Sequence, residues 1–493
     1  MHMKRIFCLI ITVSIFFSQF IFAQDFNALS GGTVKTVEVK IATFLGNGQR
    51  NYYGNNAPSA LKMHWKTYLG KGKTVISKKV GEKEWAGSGW TGQPLLVLED
   101  GYPYLIQGAY DHHLKKIDAR TGRIKWQYAY DDVIKGTGTL WLNKYARTLD
   151  ESLVVLQGSR LGYGVEFYSR IISSFRAVSY FTGKELWRMN VKATASYSRD
   201  VDGSALVLND TVYIGLENGT LVILNPDPAR GAAIDKMYQP RILNEIKLFD
   251  RKDIIHHGGN LVIESSPAAF NNHVYITSGS GHVFGYNLKT RVVDWDFYIG
   301  SDLDGSPVVT GDSCLLITVE KQYIAGPGGV LKLNPKQDPT QSVVWFFPTG
   351  DDSLLDWAGG IIGSTGINDQ TKLATDPGLC SFIGIDGYLY VVNHQEVDRD
   401  KGNVVGPDGK TEYMQPKLIF KKQIMPSIST PVFVNRKLVA AGYGGLYLFE
   451  YDSDLNFNLL AKRLSSAFES TPIVYDRMIY LGSRDGYLYC LGD

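Results

Sequence analysis

Four carboxylates occupy equivalent positions in four short, similar stretches of this chain of 493 residues. They are Asp202 in Asp-Gly-Ser-Ala, Glu264 in Glu-Ser-Ser-Pro, Asp304 in Asp-Gly-Ser-Pro and Glu469 in Glu-Ser-Thr-Pro. Clustered carboxylates suit a hard cation such as Ca²⁺, which prefers oxygen ligands. Asp also caps its own turn readily. The pattern therefore leaves two interpretations open, a cation-binding acidic ring or four separate turn caps.

The ring interpretation requires elements that bring the four stretches together. Short strands opened by Ser-Pro or Thr-Pro alternate along the chain with pairs of apolar runs joined by a tight turn, at 210–225, 272–287, 380–393, 437–451 and 477–492. The turns contain Asn-Gly, Ser-Gly, Asp-Gly or Gly-Gly, which supply the positive φ that tight hairpins need. These segments predict β-hairpins.

A further strand, often bearing Trp, follows the hairpins at 123–130, 185–191, 292–300 and 343–350. A four-stranded unit that recurs about every 50–60 residues is typical of the blade of a β-propeller. Counting hairpins predicts an all-β, eight-bladed propeller of four-stranded antiparallel blades, near 93–130, 137–191, 202–250, 260–300, 304–350, 359–424, 428–465 and 469–493. Because innermost strands line the channel, the four carboxylates should surround its mouth.

The last predicted blade, 469–493, lacks its outer strand, and a lone Trp-bearing strand at 61–70 has no hairpin before it. Pairing these two segments joins the ends of the chain and removes the open sheet edges. The predicted domain organisation is a secretion signal peptide at 1–23, an N-terminal extension at 24–60 and a single propeller at 61–493.

Two of the repeats resemble a known family. KIDARTGRIKW at 116–126 and AVSYFTGKELW at 177–187 are similar to the tryptophan-docking motif of PQQ-like (quinoprotein-type) repeat propellers. The resemblance implies that Thr-Gly closes the turn between the third and fourth strands and that the Trp packs between neighbouring blades. A large flat ring suits the gap of about 10 Å between stacked sheets.

The family has two branches with different functions. Its dehydrogenases hold PQQ and Ca²⁺ in the central funnel, often beneath an adjacent Cys-Cys disulfide, whereas the branch typified by the assembly factor BamB is a non-catalytic scaffold. This chain has no Cys-Cys pair and no lipoprotein cysteine. The resemblance therefore favours a non-enzymatic scaffold without a cofactor, with a divergent PQQ-dependent dehydrogenase, holding PQQ and Ca²⁺, as the alternative.

The first 23 residues predict export to the periplasm or the extracellular space. Lys4 and Arg5 precede a mostly apolar run that ends at the small residue Ala23. A membrane anchor is the alternative, but polar residues interrupt the run, and no span is expected after cleavage. The chain has 51 Lys and Arg, including the two in the leader, against 49 Asp and Glu. A neutral mature chain gives no electrostatic case for binding nucleic acid or an anionic membrane.

Two insertions and three cysteines complete the predictions. Residues 160–174, within blade two, are rich in Tyr, Phe and Arg, types enriched at interfaces. We expect a protein or glycan partner on one face of the propeller, with this insertion as the better candidate contact. Residues 393–417 should form a long loop on the opposite face.

Cys314, Cys380 and Cys490 should be buried thiols, with a Cys314–Cys380 bridge as the alternative.

Overall fold

The computed structural model describes residues 23–25, 36–350, 353 and 357–493. Except for the backbone of Ala23, the predicted signal peptide lies outside these residues. The N-terminal part contains five strands that precede the first complete blade, namely β1 (Ala23–Asp25), β2 (Thr36–Ile41), β3 (Lys62–Tyr68), β4 (Lys71–Ser77) and β5 (Gly81–Ala86).

Eight antiparallel sheets follow the predicted blades, so the eight-bladed all-β propeller is confirmed. Blade 1 contains β6–β9 (Leu95–Glu99, Tyr102–Gly108, His113–Asp118, Ile124–Ala129) and blade 2 contains β10–β13 (Thr139–Leu142, Leu153–Gly158, Phe175–Ser179, Glu185–Met189). Blade 3 contains β14–β16 and β19 (Leu206–Leu208, Thr211–Leu216, Thr220–Asn225, Arg241–Lys247), interrupted by the hairpin β17–β18 (Ala232–Ile234, Met237–Gln239). Blade 4 contains β20–β23 (Ala268–Phe270, His273–Thr277, His282–Asn287, Val293–Tyr298).

The remaining blades repeat this order. Blade 5 contains β24–β27 (Val308–Val309, Leu315–Val319, Gly329–Leu333, Val343–Pro348). Blade 6 contains β28–β30 and β33 (Gly366–Ile367, Leu379–Ile383, Tyr388–Val397, Pro416–Gln423), with the hairpin β31–β32 (Val404–Val405, Glu412–Tyr413) in its insertion. Blade 7 contains β34–β37 (Val432–Val434, Lys437–Gly442, Gly445–Tyr451, Phe457–Arg463), and blade 8 contains β38–β40 (Ile473–Tyr475, Met478–Gly482, Tyr487–Gly492) together with β3.

The ring closes as the sequence predicts. Strand β3 pairs antiparallel with β40, from Lys62 opposite Gly492 to Tyr68 opposite Tyr487. The first strand of the propeller thus completes the last blade, and this pairing removes an open edge.

Five outer-strand tryptophans fasten neighbouring blades. Each indole Nε1 donates to a backbone oxygen near the turn between the third and fourth strands of the next blade: Trp65 to Ala119, Trp126 to Tyr180, Trp187 to Pro226, Trp295 to Gln337 and Trp345 to His394, over 2.8–3.1 Å. The Thr-Gly glycines Gly122 and Gly183 have positive φ, and a Cβ at either would lie within 3 Å of the ring of Trp65 or Trp126. Both consequences of the resemblance are confirmed.

Strand direction divides the connections between two faces. We define the top face as the side that bears the loops leading into the innermost strands and the turns between second and third strands; the bottom face is the other side. The α-helices of the described residues are short, α1 (Leu149–Ser152) on the bottom face and α2 (Arg251–His257) on the top face. Among the described residues, no helix has the length and apolar character needed to cross a bilayer. Cys314, Cys380 and Cys490 are buried free thiols, as predicted.

The N-terminal extension enters the central channel. Strand β2 pairs with β6, the innermost strand of blade 1. Residues 42–55 then cross the axis, where Ala42, Gly48 and Gln49 accept backbone hydrogen bonds from the innermost strands of blades 2, 4 and 5. Tyr53 accepts bonds from blades 6 and 8, through its hydroxyl and its carbonyl group. We name residues 42–55 the plug.

The insertions after the third strands of blades 3 and 6 cover the outer edges of the preceding blades. Strand β18 packs on β13 of blade 2, where the side chain of Gln239 accepts a bond from Asn190 N. The insertion 393–417 leaves blade 6 on the bottom face, as predicted. Its Met414 O accepts a bond from Phe346 N on the outer strand of blade 5. These edges are therefore shielded from pairing with another chain.

Candidate functional site

A belt of polar side chains fixes the innermost strands around the channel. In six blades a backbone N–H donates to a Ser or Thr hydroxyl of the following blade: Gln93 to Thr137, Ser204 to Ser266, Ser266 to Ser306, Ser306 to Ser364, Ser364 to Thr430 and Thr430 to Thr471, over 2.8–3.2 Å. In each blade, the residue two positions before the belt residue lies at the channel mouth on the top face. In chain order these are Thr91, Lys135, Asp202, Glu264, Asp304, Ile362, Ile428 and Glu469.

The plug closes the channel below this mouth. Its contacts with Ala205 O, Pro267 O and Val309 N lie three to five residues further along the strands. At about 3.3 Å per residue, the plug is about 10–16 Å below the carboxylates. The channel is therefore closed below the mouth, and we name the part above the plug, on the top face, the cup.

One group of carboxylates joins blades 3 and 4. Asp202, Glu217 and Glu264 each offer an oxygen, and these oxygens lie within 4.8 Å of one another. We name this set group A. The ammonium of Lys135 contacts Asp202 and lies 4.0 Å from an oxygen of Glu217 and 4.0 Å from an oxygen of Glu264. Group A thus contains its own cation.

A second group adjoins it on blade 5. Asp302, Asp304 and Glu320 also bring one oxygen each within 4.8 Å of one another, and we name them group B. Asn260 Nδ2 donates to Asp302 Oδ2 at 2.6 Å. Among the described residues, no Lys, Arg or His nitrogen forms an ion pair with group B. Within the described part of the chain, six carboxylates therefore share this side of the mouth with one ammonium.

Burial and mutual repulsion favour the protonated carboxyl groups. Burial raises the pKa of Glu264 to about 7, although Lys135 opposes the shift. Burial, with Asp302 and Glu264 nearby, raises the pKa of Glu320 to about 8. The pKa values of Glu217 and Asp304 also rise, first by burial and then by their acidic neighbours. A cation that replaced these protons would relieve the repulsion.

Glu469, the fourth carboxylate of the predicted ring, has different neighbours. Tyr443 donates to its Oε1 at 2.9 Å and Arg484 to its Oε2 at 3.2 Å. The structure brings Asp202, Glu264 and Asp304 to one side of the mouth and places Glu469 in a satisfied network beside blade 1. The turn-cap interpretation does not describe Asp202, because neither of its oxygens accepts a hydrogen bond from its own turn and its side chain contacts the Lys135 ammonium instead.

Sequence reasoning missed four residues of the cup, although the signals were present. Lys135 follows the same strand pattern in blade 2, where Lys-Gly-Thr replaces Asp-Gly-Ser. Asp302 stands two residues before Asp304, and residues two apart on an extended chain share a side. Glu217 and Glu320 come directly after β15 and β25, at turns on the top face. Comparing these turns between blades would have identified both.

The opposite side of the mouth contains an apolar cluster next to the Glu469 network. Trp90, Ile362, Ile385 and Ile428 are buried in one cluster, against which Trp357 packs. Trp90 is 9% exposed, so its ring faces are covered by neighbours. The described residues on this side therefore pack against one another and leave no open aromatic face at Trp90.

Helix α2 stands on the rim of the cup and is held by a histidine. His282 Nδ1 lies 2.6 Å from Asp296 Oδ1 and its Nε2 lies 3.2 Å from Asp253 Oδ1 on α2. Phe284 and Tyr298 cover the ring. Burial opposes the charge, but the hydrogen bond and ion pair with Asp296 and the charge of Asp253 raise the pKa of His282 above its usual 6.5.

We expect the free energy of unfolding to fall as the pH rises above about 6.5, partly because of His282. A histidine whose pKa is raised by folding stabilises the native state fully at a pH below its pKa in the unfolded chain. This stabilisation is lost as the pH rises past its pKa in the folded protein. The loss should be on the order of 1 kcal/mol, since Asp296 is about half exposed. The raised pKa values of Glu264 and Glu320 also lower the stability as the pH rises. Denaturant titrations of wild type and His282→Gln at pH 6 and pH 8 therefore measure how much of the fall in unfolding free energy is due to His282. An equal fall in both proteins would contradict the role of His282.

Comparisons with known proteins agree with this architecture. Residues 70–336, a little more than half of the chain, match a family model described as outer membrane protein assembly factor BamB. A lanthanide-dependent methanol dehydrogenase from Methylacidiphilum fumariolicum (strain SolV) is 29% identical over 133 residues, which are 27% of this chain. The match spans only about a fifth, 20%, of that enzyme's length.

Two solved structures are similar to this chain. A europium-containing methanol dehydrogenase superposes with a TM-score of 0.52 at 16% identity, covering 90% of this chain and 91% of the other. BamB from Moraxella catarrhalis gives a TM-score of 0.49 at 13% identity, covering 87% of this chain and 98% of the other. At such identities the superposition with the dehydrogenase reports the propeller fold and not the activity.

Proposed function

Because this chain belongs to the family of the outer membrane protein assembly factor BamB, we propose that it is a non-enzymatic scaffold that binds a protein partner in the cell envelope. In this proposal residues 1–23 direct export and are removed, the extension 24–60 supplies the plug, and the propeller 61–493 presents its top face to the partner. The bound surface combines the cup with the exposed residues around it.

The observation that supports this function is the rim of large exposed side chains beside the carboxylates. Tyr168 is 85% exposed, Ile255 on α2 is 70% exposed and Tyr197 is 60% exposed. Tyr197 donates to Asn260 Oδ1 at 3.3 Å, and Asn260 in turn donates to Asp302. Aromatic and apolar side chains beside unbalanced negative charge suit a partner surface that is apolar and basic.

The loop that bears Tyr168 is fixed to the propeller. Arg199, almost completely buried, donates through Nη1 to Phe167 O at 2.5 Å and to Ser169 O at 2.8 Å. The predicted contact segment 160–174 is therefore attached to blade 3 near Asp202. An ordered aromatic side chain costs less entropy on binding than one on a free loop.

Photo-crosslinking from single sites tests the scaffold function. We expect a photoreactive phenylalanine at Tyr168 or Tyr197 to form defined crosslinked species in intact envelopes. The matched control is Tyr145, which is 61% exposed but lies on the bottom face. Equal crosslinking from Tyr145 and Tyr197 would contradict the proposed surface, and protease-resistant species would identify a glycan instead of a protein.

A second candidate function is a divergent quinoprotein oxidoreductase, which the two carboxylate groups and the partial match to a methanol dehydrogenase favour. The donor set fits a hard cation: its oxygens are close together, and several are buried without hydrogen-bond donors. The described residues do not fit the quinone equally well. Trp90 is covered, and no adjacent Cys-Cys pair exists in the sequence.

Reconstitution separates the two functions. Purified protein is mixed with PQQ and Ca²⁺, and quinone-dependent dye reduction is measured. We expect no reduction above the rate of free PQQ. Reduction that disappears in Asp304→Asn but persists in Glu469→Gln would favour the dehydrogenase. A cation bound without dye reduction agrees with the scaffold, and the carboxylates of groups A and B are then part of the binding surface.

A further inference from the structure

The two carboxylate groups have similar shapes but different charges. Group A encloses the ammonium of Lys135, whereas the described residues provide no such cation to group B. Three carboxylates with one fixed ammonium leave less negative charge for a second cation than three carboxylates alone. The groups should therefore differ in their capacity to bind an added ion.

Lys135 is positioned by the fold to remain in group A. It occupies in blade 2 the position that Asp202, Glu264 and Asp304 occupy in blades 3, 4 and 5, so its side chain points toward the same mouth. That side chain is 17% exposed. Its ammonium contacts Asp202 and lies 4.0 Å from an oxygen of Glu217 and 4.0 Å from an oxygen of Glu264, so it is held among all three carboxylates of group A.

Buried oxygens without donors indicate that each group can accept a ligand. Asp202 is 1% exposed and Asp302 is 8% exposed, and the Oδ1 atom of each accepts no hydrogen bond from the described residues. A buried carboxylate oxygen without a donor is costly, so it needs a proton or a cation. In group A the ammonium meets this need in part, and in group B an added ion would meet it.

We propose that Lys135 is a tethered counter-ion that occupies group A, so that the cup binds one multivalent cation, in group B. This inference rests on the proposed cation site, and it identifies Lys135 as the residue that limits the number of cations bound per chain. Replacing Lys135 by a neutral side chain converts group A into a second site. The added ion then takes the place of the ammonium.

Calorimetric titration with terbium(III) chloride, which supplies the metal ion without an organic cofactor, measures the number of ions bound per chain. We expect one ion per chain in the wild type and two in Lys135→Met. Asp304→Asn should bind none, and the double variant Lys135→Met/Asp304→Asn should bind one. Circular dichroism verifies folding, and Lys135→Gln, which keeps an N–H donor for Asp202, replaces Lys135→Met if the latter does not fold.

The outcomes separate failure of this inference from failure of the cation site. A wild type that binds no terbium contradicts the site itself and the inference with it. One ion in both wild type and Lys135→Met contradicts only the role of Lys135. Two ions in the wild type would also overturn it, because group A would then bind a metal despite its lysine.

Discussion

Replacing Arg50 by methionine is expected to lower the free energy of unfolding by about 3–5 kcal/mol. Arg50 lies in the plug and is 0% exposed. Its guanidinium donates to Pro267 O at 2.7 and 2.9 Å, to Phe44 O at 2.9 Å and to Thr43 Oγ1 at 2.7 Å. Methionine fills part of the volume but leaves these buried oxygens without donors. Chemical denaturation measures the loss.

The control for this prediction is Arg123→Met on the exposed turn of blade 1, where the change should be within about 0.5 kcal/mol. If Arg50→Met is as stable as this control, the plug does not contribute to the native state. A cooperative transition at lower denaturant indicates that plug and blades unfold together. Loss of the plug alone would give a separate early transition.

Adding a multivalent cation is expected to raise the melting temperature of the wild type, and Asp304→Asn should abolish this response. At a concentration 100 times the dissociation constant, binding contributes about 2.7 kcal/mol. For a chain of this length that corresponds to a rise of about 3 °C. Asp304 belongs to group B, and replacing it removes both a ligand and a negative charge. Scanning calorimetry at pH 8 measures the shift, since protons compete least for the carboxylates there.

Glu469→Gln provides a matched control from the same position in another blade. Glu469 contacts Tyr443 and Arg484 and belongs to neither carboxylate group. The variant should keep the response to the cation in full. If Glu469→Gln loses the response as Asp304→Asn does, the cation is bound by a complete ring and not by group B alone.

The plug and the cup together limit how the protein can bind a ligand. Since residues 42–55 contact the innermost strands on nearly every side, a ligand of the cup arrives and leaves only at the top face. The rim residues Tyr168, Tyr197 and Ile255 lie on that face. A bound partner would therefore cover the cup, and cation binding and partner binding would influence each other's affinity.

The sequence by itself determined the blades and the closure of the ring. These depend on local signals that repeat: alternating apolar residues, Gly at turns that need positive φ, and Trp after Thr-Gly. Trp126 and Trp187 could be placed between blades because their contacts lie one repeat away. Asp202, Glu264 and Asp304 could be placed at one mouth because each begins an innermost strand.

Only the tertiary structure decided which charges meet. Lys135 contacts Asp202, and Glu469 accepts a hydrogen bond from Arg484. These contacts depend on where the assembled fold places the side chains, which no local sequence pattern encodes. The plug is the clearest case: Arg50 has no repeat equivalent, and its partners Ala205 and Pro267 become its neighbours only after the blades have assembled around the plug. Short-range backbone preferences set the strands, whereas buried polar contacts depend on packing between residues distant in the chain.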